Sequence, residues 1–321
     1  DCTAACAGAG WLSPECGLLQ GYEVLDAENN RTLPAAAITN RALRWLEGLH
    51  ADEPMHLLVN YFDPHWPYDP KPPYDRYAKS GKRVKLPSLS ELLNGVETTP
   101  AQRTRMLDLY DGEIEYMDHH IGRLLDGLRK SGRYDDAMIV VIADHGELFG
   151  EHGHIGHGAW LWEELVRVPL IVKYPGNRGA GTRETASVST VDVLRWVGDE
   201  LGLELPADVS GKPVGARELV LAEEFPSQLF LKMGGDEMDR KLVAGVHWPW
   251  KWIAGADGEG SLFRIADDPG EEQPVADDAV VADLRERVRG VQSELVAPEV
   301  DRTRRMSPEA EQQLRELGYI E

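Results

Sequence analysis

Apolar residues recur along this chain in two rhythms. Across 35–49 (AAAITNRALRWLEGL), Ile38, Ala42, Leu43, Leu46 and Leu49 fall at three- and four-residue steps, which is one face of a helix. The same step runs through 101–131 in Met106, Leu109, Tyr110, Ile114, Met117, Ile121, Leu124, Leu125 and Leu128, the longest helical signal in the sequence. Further helices are expected at 191–201, 279–296 and 307–317. Between the first of these lie compact apolar runs: 56–62 (HLLVNYF), 138–143 (MIVVIA) and 167–174 (RVPLIVKY). They do not alternate with polar residues, so they read as buried strands, with 138–143 a central one covered on both faces.

From about residue 215 the texture changes. Short strand candidates at 219–222, 241–246 and 251–254 are separated by Gly and Pro turns, which predicts a small antiparallel sheet. No repeat of solenoid period interrupts the pattern. The expected architecture is α/β, with a main domain over 1–210 and a smaller C-terminal subdomain over 211–321. In open α/β sheets, ligands bind beyond the carboxyl ends of strands. Two polar loops lie in such places: DPHWPYDPKPPYD after 56–62, and ADHGELFGEHGHIGHG after 138–143. The first belongs to a stretch with six prolines between Pro64 and Pro87, so it is an ordered loop and not an element.

Charge narrows the partners. With 55 acidic and 34 basic residues the net charge is −21, which argues against nucleic acid or an anionic membrane as partner. An anionic substrate would need a local positive centre such as a metal ion. No apolar run of 18 or more residues exists, so no transmembrane segment is expected. The first residue is Asp1, so the compartment cannot be read from that end and periplasm, exterior and cytoplasm stay open; oligomeric state is equally open. The three cysteines, Cys2, Cys6 and Cys16, are too few for a disulfide scaffold and read as a Cys2–Cys6 pair on a flexible terminus or as inert thiols.

Four of the ten histidines crowd the second loop. Asp144 and His145 leave the strand consecutively, and Gly146 permits the turn that would bring their side chains to one cation. The competing reading is an Asp that caps the turn and a His bonded locally, and on spacing the two balance. His152, His154 and His157 make an H-x-H-x-x-H spacing that could surround zinc, but a glycine-rich loop does not fix their directions. His65 alone, in an aromatic and proline-rich loop, reads as packed. Trp66, Tyr68, Trp160 and Trp162 are either a wall for a sugar or aryl ring or ordinary packing.

The order of these signals is more specific than any one of them: strand, D-P-H-x-P-Y, a long helix containing Y-D-G-E-I-E-Y-M-D, strand, D-H-G-E, G-H-G, then R-V-P-L-I-V-x-Y-P-G. This succession resembles the sulfatase family of the alkaline phosphatase superfamily, from about Gly10 to the end. GWLSPECGLLQGYEVLD, TVDVLRWVGDELGLELPADVSG, LFRIADDPGEEQPV and SPEAEQQLRELGYIE are similar to family stretches in the same order. The resemblance implies an alkaline-phosphatase-like sandwich, a mostly parallel central sheet flanked by helices, with the smaller antiparallel sheet beside it. It implies a divalent cation, Ca²⁺ first and Mn²⁺, Mg²⁺ or Zn²⁺ as alternatives, held by Asp144 and His145. His65 falls on the histidine that contacts the sulfate and protonates the leaving alcohol. His157 takes the place of a lysine on the same oxygens, while His152 and His154 match no catalytic position and read as loop structure.

The implied reaction is hydrolysis of a small-molecule or carbohydrate sulfate ester. Asp-His in place of the frequent Asp-Asn keeps a phosphodiesterase or phosphonate monoester hydrolase as the alternative. The family's nucleophile, a formylglycine made from C/S-x-P-x-R, and its N-terminal Asp pair have no counterpart here, since Cys2-Thr3-Ala4-Ala5-Cys6 lacks both the Pro and the Arg. These 321 residues are therefore expected to correspond to the part of the family that follows that motif, with the N-terminal part of the fold missing. A non-catalytic homologue is the third reading.

Overall fold

The computed structural model describes residues 2–7, 12, 19, 21–26, 33–50, 53–77, 84–88, 91–92, 96–225 and 240–295. The protein packs as two compact units, one within Asp1–Ala137 and the other within Met138–Val300. The change of texture at about residue 215 thus falls inside the second unit, shortly before its antiparallel sheet begins.

In the first unit, β1 (Cys2–Ala7) is the middle strand of a parallel sheet, between β2 (Val24–Asp26) and β3 (Met55–Asn60). Ala4 and Ala5 are fully buried and Cys6 nearly so. Cys2 and Cys6 therefore do not sit on a flexible terminus. Four residue steps along the strand put them roughly 13 Å apart, beyond the reach of a disulfide. Periodicity missed this strand because alanine and cysteine carry little strand preference and their burial on every side leaves no alternation. Small side chains suit the place: helix α1 (Ala35–Glu47) packs on β1 and buries Ala35, Ile38, Thr39, Ala42 and Leu46.

Helix α2 (Pro100–Lys130) packs against α1. It starts where expected because Thr99 and Gln102 form a reciprocal capping box with Pro100 behind it. The loop after β3 docks on α2 at Gly112, where a Cβ would lie 2.4 Å from the Tyr74 carbonyl oxygen. Only glycine allows that approach.

The second unit opens with β4 (Ile139–Ile142), followed by a small hairpin of β5 (Leu148–Phe149) and β6 (Ile155–Gly156), a single helical turn α3 (Glu163–Val166), and β7 (Leu170–Lys173). β4 pairs with β7 antiparallel. Within the second unit, the strand expected to be central and covered on both faces is paired on one side. β4 has β7 as its one described neighbour, and Ile142 and Ile171 are 39% and 63% exposed.

Helix α4 (Asp192–Leu201) precedes the predicted antiparallel sheet, which has four strands in the order β11-β10-β9-β8: β8 (Val220–Glu224), β9 (Leu242–His247), β10 (Trp250–Gly255) and β11 (Gly260–Phe263). Alternate residues of β10 face two different cores. Trp252 and Ala254 join Leu284 and Val288 of helix α5 (Asp278–Glu294), while Ile253 joins Leu161, Phe263 and Ile265, with Trp162 and Val166 against them. That second core ties the sheet to the end of the histidine loop. The expected helix at 307–317, Cys16, most of GWLSPECGLLQGYEVLD and the terminal SPEAEQQLRELGYIE lie outside the described residues.

Candidate functional site

The loop after β4 turns one carboxylate and one imidazole outward. Asp144 Oδ1 accepts the His145 amide at 3.0 Å, and His145 Nδ1 donates to the Gly146 carbonyl at 2.9 Å. A carbonyl can only accept, so the proton is on Nδ1 and Nε2 carries the lone pair, the arrangement that readies an imidazole for a metal. Asp144 Oδ2 and His145 Nε2 lie 3.8 Å apart, with the side chains 88% and 42% exposed. Two ligand bonds of roughly 2.0–2.6 Å span such a gap. The pair therefore fits a divalent cation, contributing one oxygen and one nitrogen.

Gly146 serves a different purpose from the one expected. It does not take a positive φ; instead its amide donates to the Leu165 carbonyl at 2.8 Å, and a Cβ there would lie 1.9 Å from the Glu164 carbonyl oxygen. It is glycine because α3 is pressed against it.

The four histidines part company. His157 stacks on His145 with ring centroids 4.2 Å apart, and its Nδ1 is 3.1 Å from Glu147 Oε1, whose side chain is 5% exposed. That contact and the ring stacking orient His157 beside the Asp144–His145 pair. His152 stacks on Trp162 at 4.0 Å and reaches Glu164 Oε2 at 3.4 Å. His154 stacks on Trp160 at 3.9 Å. Three of the loop's imidazoles thus go to three different partners, and the H-x-H-x-x-H spacing does not surround one ion. Trp160 and Trp162 are accounted for by packing.

In the first unit, His65 follows β3 in a tight turn. Its Nδ1 donates to the Trp66 carbonyl at 2.6 Å and its ring stacks on Phe62 with centroids 4.2 Å apart, so the ring is fixed with Nε2 as its second nitrogen. Trp66 meets Tyr68 edge to face, and Tyr68, itself buried, meets Tyr110 the same way. Asp63, two residues earlier, points inward and its Oδ1 accepts the Ala35 amide at 2.9 Å. Burial pushes its carboxyl above the usual range, against the pull of that amide.

Sequence reasoning missed Glu147 and a buried cluster behind the loop. Lys251, fully buried, sits 2.9 Å from carboxylate oxygens of both Glu163 and Glu271. One signal was available: in W-P-W-K-W-I-A a lysine lies between two tryptophans of a strand, so alternation puts it on the same inward face as Ile253.

The carboxylate–imidazole pair leaves the end of a strand in an α/β protein, the place where ligands bind in open sheets of this class. More specifically, the chain belongs to the sulfatase family, whose model matches residues 16–202. Members of that family generally use a metal ion. Among relatives, it is 25% identical over 274 residues to the Escherichia coli (strain K12) protein described as uncharacterized sulfatase YidJ, covering 79% of this chain and 53% of that one. The chain thus spans about half the length of that relative. Two solved structures share the α/β fold. The phosphonate monoester hydrolase of Agrobacterium radiobacter gives a TM-score of 0.71 at 18% identity, covering 91% of this chain and 78% of that one. A structure determined with its substrate D-glucosamine-2-N,6-O-disulfate gives 0.72 at 17%, covering 91% and 79%.

Proposed function

We propose that this protein supplies the metal-holding and oxyanion-handling part of a hydrolase that cleaves the sulfate ester of a small molecule or carbohydrate. The observation that carries the reading is the outward Asp144–His145 pair with His157 stacked on it. A bound divalent cation, Ca²⁺ by preference, would neutralise charge on the ester oxygens. His157, held through Nδ1 by Glu147, turns its other nitrogen to an oxyanion and donates to it when protonated. The family resemblance gives His65, whose Nδ1 is held by the Trp66 carbonyl, the role of protonating the leaving alcohol. The attacking group has no candidate among the 321 residues.

The alkaline-phosphatase-like sandwich is the parent architecture in this reading, supported by the parallel sheet of the first unit. The division near 210 is kept as a functional one, with the chemistry in 1–210 and the supporting sheet in 211–321.

A second reading is favoured by His145. An imidazole ligand is softer than an amide and shifts the metal preference towards Mn²⁺ or Zn²⁺, and with it the chemistry towards a phosphodiester or phosphonate monoester. Titration of the protein with Ca²⁺, Mn²⁺, Mg²⁺ and Zn²⁺ by calorimetry, then binding of aryl sulfate, phosphodiester and phosphonate esters to the cation-loaded protein, separates the two. Cation binding lost in Asp144→Ala and tighter binding of the sulfate ester is expected. Tighter binding of either phosphorus ester selects the second reading, and no cation binding at all rejects both.

A further inference from the structure

We propose that Lys251, Glu271 and Glu163 form a buried clamp that positions the Asp144–His145 pair through α3. The inference rests on reading that pair as a cation site, and each of its parts lies in the second unit.

Lys251 projects from β10 with no exposed surface, and its ammonium is 2.9 Å from Glu163 Oε1 and 2.9 Å from Glu271 Oε1. Glu271 Oε2 accepts the Glu163 amide at 2.6 Å. The first residue of α3 is thus held twice, by its side chain and by its backbone. Glu271 is 3% exposed and takes a φ of 50°, which is unfavourable for a residue with a Cβ and persists only where its surroundings fix it. Burial also pushes its carboxyl up, and Lys251 opposes that shift. From α3 the contact passes directly to the site: Leu165 accepts the Gly146 amide, and the Glu164 carbonyl occupies the space a Cβ of Gly146 would need. Gly146 in turn supplies the carbonyl that fixes the tautomer of His145. On the other side, Glu164 and Trp162 hold His152 and so the far end of the loop.

A buried ion cluster is a poor device for stability alone, since apolar residues of similar size often serve as well. Its value here is direction: two carboxylates converging on one ammonium fix where α3 begins, and α3 fixes Gly146. Donor atoms of His152, Glu164 and Glu271 lie within 4.8 Å of one another, close enough to suggest a second cation. The ammonium of Lys251 already supplies the positive charge there.

The test compares the 321-residue protein with its Lys251→Met and Glu271→Gln variants. The measurements are thermal melting, amide hydrogen exchange over residues 143–149, and calorimetric titration with Ca²⁺ and Mn²⁺. A positioning role predicts that exchange over 143–149 rises at least about tenfold while β9 keeps its protection, and that cation affinity falls by about 10- to 100-fold, as for other groups that orient a metal ligand. A lowered melting temperature with unchanged exchange over 143–149 would overturn the proposal, as would unfolding of both variants, because the cluster would then be a stability element. Stoichiometric Zn²⁺ binding abolished by His152→Ala would overturn it too. If the unmodified protein binds no cation, the reading of the Asp144–His145 pair fails, and the exchange comparison alone decides the clamp.

Discussion

Two strands of this molecule end in the same chemical pair and use it in opposite ways. After β3 the sequence runs Asp63-Pro64-His65, and after β4 it runs Asp144-His145. Asp63 turns inward, accepts the amide at the start of α1 and is desolvated; Asp144 turns outward with its side chain 88% exposed. An inward carboxylate spends a lone pair on the backbone, whereas in the proposed reading the outward one beside an oriented imidazole keeps a lone pair for a cation. The difference teaches that residue type at a strand end is not enough: the direction in which the carboxylate is turned decides between a structural cap and a ligand.

The largest expected effect comes from exchanging one aspartate for alanine in each loop. Asp144→Ala should abolish measurable cation binding, with a change in melting temperature of no more than a few degrees because the side chain is exposed. Asp63→Ala should do the reverse, leaving cation affinity within about twofold and costing about 1–2 kcal/mol of stability through loss of the amide bond at α1. Calorimetry and urea unfolding of both variants check the pair. Equal loss of cation affinity in the two would break the comparison.

A smaller effect follows from pH. The folded pKa of Asp63 is raised by burial, so the folded state holds its proton to higher pH than the unfolded state does. Its contribution to stability is therefore present below the unfolded value of about 4 and is lost as pH rises through the folded value. Asp63→Asn keeps an acceptor for the Ala35 amide and does not ionise. It should match the parent at low pH and be the more stable of the two at pH 7, by urea midpoints measured across that range. His120 runs with the opposite sign: burial, then Arg123 and His119, lower its pKa to about 4. The unfolded state binds the proton first, so the first unit should lose stability as pH falls from about 6.5 to about 4. His120→Gln should flatten that slope.

How much of this was legible beforehand follows from what each signal measures. The helices at 35–47 and 100–130 were readable because one face of each is buried, and the second is also capped by Thr99 and Gln102. β1 was not, because Cys2–Ala7 is a run of small residues whose burial comes from both neighbouring strands and from α1. Asp144 and His145 stand after an apolar run, where spacing leaves a ligand pair and a local cap in balance, and the resemblance singles them out as the ligand pair. Their geometry was not legible, since it depends on Gly146 meeting α3, whose place is set by Lys251 and Glu271 about a hundred residues on. Residues that act by orienting others carry no motif of their own.

The finest test stays within one loop. His154 and His157 are three residues apart, yet His154 lies on Trp160 while His157 lies on His145 and is held by Glu147. If direction and not residue type makes the ligand, replacing them should have unlike consequences. His154→Gln removes a ring from an aromatic stack and should cost about 0.5–1.5 kcal/mol with cation affinity unchanged within about twofold. His157→Gln leaves Asp144 and His145 able to bind a cation but removes the imidazole beside them, so binding of inorganic sulfate to the cation-loaded protein should weaken several-fold more than cation affinity does. Calorimetry with Ca²⁺ and then with sulfate, measured on both variants, reads the two effects separately. Loss of cation binding in His154→Gln would return the four histidines to a single cluster and undo the distinction between outward and inward rings.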